Sequence, residues 1–193
     1  MSMPRPGYRY VGPSDLKGLV RPDGEGARIR SAADLTRWVS ARGAEERAEP
    51  FTFVVDTEGV LRLAPRRSEH VVCAGGDTVL SAGEVSFREE GGRWTVDEVS
   101  NQSTGYCPDT DSWPAVAHAL DRVGLDHPDG FTHQVVFRRC VSCRQVNVVR
   151  EDYFVCVFCD ETLPSGWNID GADCRVVTAA DDFRRSRRSA SSG

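Results

Sequence analysis

The feature that most constrains this chain is a set of four cysteines arranged as two closely spaced pairs. Cys140 and Cys143 form one C-x-x-C pair, Cys156 and Cys159 form the second, and twelve residues separate the pairs. A C-x-x-C turn places two thiolates on one side of a tight loop, and two facing turns supply four tetrahedral ligands for Zn²⁺. Four protein ligands leave no open coordination position. The sequence therefore predicts one structural, non-catalytic Zn²⁺ ion.

The residues around the two cysteine pairs predict a zinc ribbon over 136–168. Residues 147–149 and 153–155 are rich in β-branched and aromatic types, and we expect them to form the two strands of a small hairpin. Glycine often follows the second cysteine of such a turn, because the backbone there tends towards positive φ. Arg144 and Asp160 occupy these positions here, which predicts slight backbone strain.

Composition places the rest of the chain in an ordinary globular class. The 193 residues are 39% hydrophobic, which suits one packed domain with a small appendage. No apolar run approaches the ~20 residues of a membrane span, and the N-terminus has no secretory signal pattern. We therefore expect a cytoplasmic protein with no membrane partner. Because the cytosol keeps thiols reduced, Cys73, Cys107 and Cys174 are interpreted as small buried hydrophobic residues.

Local patterns predict an α+β fold, in which an antiparallel sheet with two to three helices carries a C-terminal zinc ribbon. The predicted elements are a helix over 32–42 capped by Ser31 and ended by Gly43, a hairpin of 51–55 with 60–63, a hairpin of 84–87 with 94–99, a helix from Asp111 or Ser112 to Gly124, and a strand over 131–138. The predicted domain organisation is an irregular N-terminal segment (1–30), an α+β body (31–135), the ribbon (136–168), a C-terminal extension (169–183) and a disordered basic tail (184–193).

A polar segment from Asn101 to Pro108 lies between the second hairpin and the second long helix. Ends of strands beside the start of a helix are common ligand sites. One interpretation makes Asn101, Ser103 and Tyr106 ligand-binding residues at the edge of a pocket. The alternative is structural: Asn and Ser hydrogen-bond local backbone in turns, and Tyr106 packs its ring while tethering its hydroxyl group.

Several short motifs follow one another between the first hairpin and this segment. They are His70, Gly75-Gly76, Ala82-Gly83-Glu84 and Asn101-x-Ser103-x-x-Tyr106-x-Pro108. Over about residues 51–125 this order resembles a widespread domain with an N-x-S-G-H-Y-x-P turn, found in bacterial toxin contexts and in plant IQ-motif proteins. Thr104-Gly105 stands where that motif has Gly-His. Together with the ribbon, the chain also resembles a group of uncharacterised actinobacterial proteins. The resemblance implies a toxin-linked immunity, defence or regulatory protein.

The closed metal site favours a binding or interaction module as the function. In this hypothesis the ribbon presents Arg138, Arg139, Arg144 and Arg150 to an unidentified protein or acidic ligand. A nucleic-acid partner is possible, but the net charge of −5 and the pI of 5.4 do not favour it.

An enzyme is the alternative hypothesis. The candidate catalytic residues are polar or nucleophilic side chains of the central region: His70, Glu84, Ser103, Tyr106 and Cys107. Histidine ordinarily titrates near neutral pH, so His70 would suit a general base. Ser103 or Cys107 would act as the nucleophile if His70 lies within hydrogen-bond reach. A pocket around His70, Ser103 and Tyr106 is the geometry that this hypothesis requires.

Overall fold

A computed structural model describes residues 7–169 of the chain. Within this range the helices are α1 (Ser14–Lys17), α2 (Ala32–Ser40), α3 (Ala44–Arg47), α4 (His70–Cys73) and α5 (Trp113–Val123), the last preceded by a 3₁₀ turn (Thr110–Ser112). The strands are β1 (Ala27–Ile29), β2 (Phe51–Asp56), β3 (Leu61–Ala64), β4 (Val79–Glu90), β5 (Arg93–Val99), β6 (Val136–Arg139) and β7 (Val146–Val149). Cys174, the basic tail and all but the first residue of the predicted extension lie outside the described residues.

Five strands form one antiparallel sheet in the order β1-β3-β2-β4-β5. Both predicted hairpins are present, as β2–β3 and β4–β5, and the α+β class is confirmed. The helix number differs from the expectation, because the described residues contain five helices instead of two to three. Three of the five have only four residues, a length that carries no helical periodicity in the sequence.

The two longer helices begin and end close to their predicted positions. Ser31 caps α2, its hydroxyl group accepting the N–H of Asp34 at 3.2 Å. Gly124 ends α5 with a φ of +83°. Ser112 does not cap α5 with its side chain; its Oγ instead lies 2.9 Å from Ser81 Oγ. That contact ties the start of α5 to β4.

Both faces of the sheet are covered, and strand β2 is consequently buried along its whole length. Phe53 and Val55 pack in a core beneath α2 and α5. Val54 points to the other face, into a second core with α4 and Tyr106. Alternate residues of one strand therefore enter two different cores, as the two-residue period of a strand requires.

The segment predicted to be irregular, 1–30, contributes helix α1 and edge strand β1 to the fold. Strand β1 pairs with β3, and Ile29 lies opposite Leu61 and is buried. Nine of the 30 residues in this segment are glycine or proline, which favours an irregular prediction, whereas the three-residue strand β1 forms by pairing with β3. Just before β1, the Glu25 carboxylate contacts Arg62, whose Nε donates to Asp56 Oδ2 at 3.0 Å.

The ribbon pairs its strands differently from the prediction. Strands β6 and β7 are antiparallel partners that flank the first C-x-x-C turn, with Val136 opposite Val149. Residues 153–155 do not pair with β7; Val155 instead bridges Thr162 across the second C-x-x-C turn. Each C-x-x-C turn reverses the chain, so its own flanking segments become neighbours and pair with each other.

The predicted strand over 131–138 is also shorter in the structure, where β6 begins at Val136. Immediately before it, the side-chain amide of Asn101 occupies both backbone groups of Val135. Asn101 Oδ1 accepts the N–H of Val135 at 2.7 Å, and Asn101 Nδ2 donates to its carbonyl at 2.8 Å. A side chain therefore replaces a neighbouring strand at this point.

The ribbon packs against the body through residues that follow the second cysteine pair. Trp167 Nε1 donates to the carbonyl of Cys107 at 2.8 Å, and its ring meets Tyr8 edge-on at 5.2 Å between centroids. Asn168 bonds both backbone groups of Arg139 at 2.8 Å. The Trp167 contacts join the ribbon to a small core that includes Phe137 and Cys107, whereas the Asn168 bonds connect two segments of the ribbon itself.

Gly83 in β4 offers a direct test of the packing between β4 and the backbone at Ser100. A Cβ at this position would overlap the backbone carbonyl of Ser100, which cannot move away as a flexible side chain would. We expect Gly83→Ala to lower the free energy of unfolding by about 3 kcal/mol, measured by urea denaturation. Gly43→Ala is the control, because its Cβ meets nothing within 4 Å and the change should stay within about 0.5 kcal/mol. Equal stabilities for the two variants would contradict the packing.

Candidate functional site

The four cysteine sulfurs converge on one point. Cys140 Sγ lies 3.6 Å from Cys159 Sγ, Cys143 Sγ lies 3.5 Å from Cys156 Sγ, and all four lie within 4.8 Å of one another. A tetrahedron with metal–sulfur bonds of ~2.3 Å has sulfur–sulfur edges of ~3.8 Å, so these spacings fit a single ion. Cys140 and Cys156 are buried, whereas Cys159 is exposed. The cluster has the donor set and the size to hold a metal ion.

The two C-x-x-C turns have the same backbone geometry. In each, the residue after the second cysteine donates its N–H to the carbonyl of the first cysteine at 3.0 Å, from Arg144 to Cys140 and from Asp160 to Cys156. Arg144 has a φ of +65° and Asp160 a φ of +60°. The predicted positive φ at both positions is present, in residues that have a Cβ.

Hydrogen-bond donors surround the Cys156 sulfur. The N–H of Phe158 and Nδ2 of Asn147 each lie 3.5 Å from it. Burial alone would raise the pKa of the Cys156 thiol, but the Phe158 N–H, the Cys143 thiol and the Asn147 amide lower it to about 7. The Phe158 N–H and the Asn147 amide stabilise the Cys156 thiolate, which is the form that binds metal.

Asn147 is a site residue that the sequence analysis missed. It is 3% exposed, and its Oδ1 accepts the N–H of Val157 at 3.0 Å while its Nδ2 faces the Cys156 sulfur. One amide in β7 thereby fixes the second C-x-x-C turn. The available signal was a single amide inside the apolar run of residues 146–149.

The predicted basic patch on the ribbon is reduced to half of its arginines. Arg138 and Arg139 are only 8% and 6% exposed. The Arg138 guanidinium donates to the carbonyls of Ser165 and Phe137 and ties the end of the ribbon to β6. Arg144 and Arg150 remain exposed. Arg138 is therefore structural, because its donors satisfy backbone carbonyls, and Arg139 is buried beside it.

The polar segment at 101–108 is held by its own hydrogen bonds. Asn101 is fully buried and, besides Val135, bonds the carbonyl of Pro108 at 2.9 Å. Tyr106 is fully buried and donates its hydroxyl hydrogen to the carbonyl of Asp77 at 2.7 Å. The polar groups of Asn101 and Tyr106 are thus directed at backbone, as the structural alternative requires.

Three of the candidate catalytic residues line one cavity of about 290 Å³. These are His70, Glu84 and Ser103; Tyr106 and Cys107 do not line it. His70 Nε2 lies 2.9 Å from the carbonyl of Gly83, and burial lowers the pKa of His70. Within the described part of the chain, His70 and Ser103 share no hydrogen bond. The structure brings these residues together but does not form a nucleophile–base pair.

No protein-family model, curated protein or solved structure is significantly similar to this chain. Among residues 7–169, no helix combines the length and the apolar character needed to cross a membrane.

Replacing Asn147 should weaken metal retention without unfolding the body. In Asn147→Ala the Cys156 sulfur loses a donor and Val157 loses its acceptor, and loss of such outer-shell contacts typically weakens metal binding 10- to 100-fold. Competition with a chromogenic chelator measures the effect. Asn168→Ala is the matched control, since that amide also makes two bonds in the ribbon but contacts no sulfur. Equal losses in both variants would mean that Asn147 acts only through ribbon stability.

Proposed function

We propose that the chain binds one structural zinc ion through Cys140, Cys143, Cys156 and Cys159 and uses the ribbon to dock on a protein partner with a basic surface. Zinc is supported by the donor set, because four thiolates in a tetrahedral arrangement select zinc or an iron–sulfur centre among the common metal groups. The sulfur spacings fit a single ion, which favours zinc over a multinuclear iron–sulfur cluster. With four protein ligands, the ion has no position left for a substrate.

The observation that carries the docking function is the position of the exposed apolar side chains. Among the described residues, six large hydrophobic side chains are exposed, and five of them belong to the ribbon. Those five are Val141, Val148, Tyr153, Val157 and Phe158. Concentration of exposed apolar surface in one small module is typical of interaction sites. Aromatic residues such as Tyr153 and Phe158 are also enriched where proteins bind one another.

The charges around these side chains favour a basic partner. Glu151, Asp152, Asp160 and Glu161 are exposed in the second half of the ribbon. A zinc ion with four thiolates adds a formal charge of −2, since the ligands outweigh the cation. Against this stand the exposed Arg144 and Arg150. Phosphate groups would be repelled, so this balance supports a protein surface over nucleic acid.

Elemental analysis tests the metal. We expect one zinc per chain in the purified protein and none in Cys143→Ser/Cys156→Ser, together with loss of cooperative melting of the ribbon, because a structural zinc contributes on the order of 10 kcal/mol to folding. Cys107→Ala, which removes a buried cysteine outside the cluster, should keep its zinc. A parent protein without zinc would refute the proposal.

Quantitative affinity capture tests the docking surface. Val157→Ser/Phe158→Ser removes the two exposed apolar side chains between Cys156 and Cys159. Because both side chains lie at the surface, the free energy of unfolding should change by about 0.5 kcal/mol or less. Leu19→Ser is the matched control, because among residues 7–169 Leu19 is the one large exposed hydrophobic side chain outside the ribbon. We expect basic proteins to be retained by the parent and by Leu19→Ser and lost by the double variant. The same retained set for all three would contradict docking through the ribbon.

A further inference from the structure

We propose that the cavity beside His70, away from the cysteine cluster, binds a small hydrophilic organic anion. This is a second binding site, and it does not depend on the function proposed for the ribbon. The cavity has a volume of about 290 Å³, near the lower end of the ~300–1,000 Å³ that small-molecule sites occupy. It lies between residues 66–70, Glu84 of β4 and the 102–104 loop.

The lining excludes an apolar ligand. All ten residues around the cavity have polar side chains. Covering these groups with hydrocarbon would remove their water without replacing its hydrogen bonds, which is strongly unfavourable. A ligand must therefore supply hydrogen bonds and charge over most of its surface.

His70 presents a hydrogen-bond acceptor in this cavity. A carbonyl oxygen only accepts, so the 2.9 Å contact with Gly83 requires that Nε2 carries the hydrogen. In the neutral ring, Nδ1 then has a free lone pair, and no described residue donates to it. Burial lowers the pKa of His70, which keeps the ring neutral at physiological pH. The ring therefore accepts an O–H or N–H from a ligand instead of supplying positive charge.

The wall formed by residues 66–70 carries Arg66 and Arg67 together with the carboxylate of Glu69, and Glu84 lies on the β4 wall. Arg67 is exposed and forms no ion pair within the described residues, whereas Arg66 has only a long contact of 3.9 Å with Glu49. A guanidinium group matches the geometry of a carboxylate or phosphate. Glu84, also without an ion pair in residues 7–169, lines the cavity from β4, and its carboxylate can accept hydrogen bonds from a ligand. The matching ligand has one anionic group and several hydroxyl or amino groups.

The walls are already fixed in position. Thr52 is buried, and its hydroxyl group lies 3.3 Å from the carbonyl of Arg66 and 3.2 Å from that of Ser68, so it ties the arginine-bearing turn to β2. His70 is fixed to β4 through Gly83. A site formed before the ligand arrives loses less conformational entropy on binding.

Two anionic probes and one uncharged control separate the possible charged groups. Glycerate carries hydroxyl groups with a carboxylate, glycerol 3-phosphate carries them with a phosphate, and uncharged erythritol carries hydroxyl groups alone. Each is titrated into the full ¹⁵N-labelled chain at millimolar concentration and constant ionic strength. We expect saturable NMR shifts at His70, Gln102 and Thr104 with one or both anions, and none with erythritol. The anion that binds more tightly identifies the charged group.

Variants then assign the binding to this cavity. Arg67→Gln, at an exposed position that leaves the fold unchanged, should weaken binding at least about tenfold, because it removes a charge-assisted hydrogen bond. Arg37→Gln is the control, since Arg37 is an exposed arginine of α2. Shifts that grow linearly with either anion, that appear equally with erythritol, or that persist unchanged in Arg67→Gln would overturn the proposal.

Discussion

The buried side-chain amide of Asn101 connects the end of the sheet, the segment that leads to α5 and the start of the ribbon. Asn101 lies just beyond the end of β5, bonds the carbonyl of Pro108 on the way to α5, and bonds both backbone groups of Val135 just before β6. Backbone groups that are removed from water without a partner cost about 1–3 kcal/mol each, so this amide determines where the chain can pass. The position of the ribbon relative to the sheet follows from that contact and from Trp167, which bonds the carbonyl of Cys107.

The central motifs have a common structural logic. His70 bonds the carbonyl of Gly83, Gly83 has no room for a side chain beside Ser100, and Tyr106 bonds the carbonyl of Asp77. Each motif residue thus satisfies or contacts backbone from a distant segment. Because the His70–Gly83 bond also fixes a residue that lines the cavity, a motif that is structural in its contacts also shapes the site proposed to bind a ligand.

Features with local signals were predictable from the sequence. The hairpins follow from strand alternation and turn residues, α2 from its Ser31 cap, and the cysteine cluster from two C-x-x-C pairs. Features that depend on a distant partner were not predictable. Strand β1 exists only because β3 lies beside it, and the burial of Arg138 depends on the carbonyl of Ser165, which is 27 residues away. The contacts of the Asn147 side chain with Cys156 and Val157 likewise require the second C-x-x-C turn to fold back onto β7.

The ribbon separates the groups that hold it together from the groups that it exposes. Arg138, Asn147 and Asn168 turn their polar atoms inwards to backbone and sulfur, whereas Val157 and Phe158 point outwards, 75% and 61% exposed. In a flexible loop such apolar side chains would collapse onto the nearest core. Here they follow Cys156 directly, in a turn fixed by the Asn147 amide and, in our proposal, by the metal. The folding free energy of a closed metal site would then serve to hold apolar side chains in water, in an orientation ready for a partner.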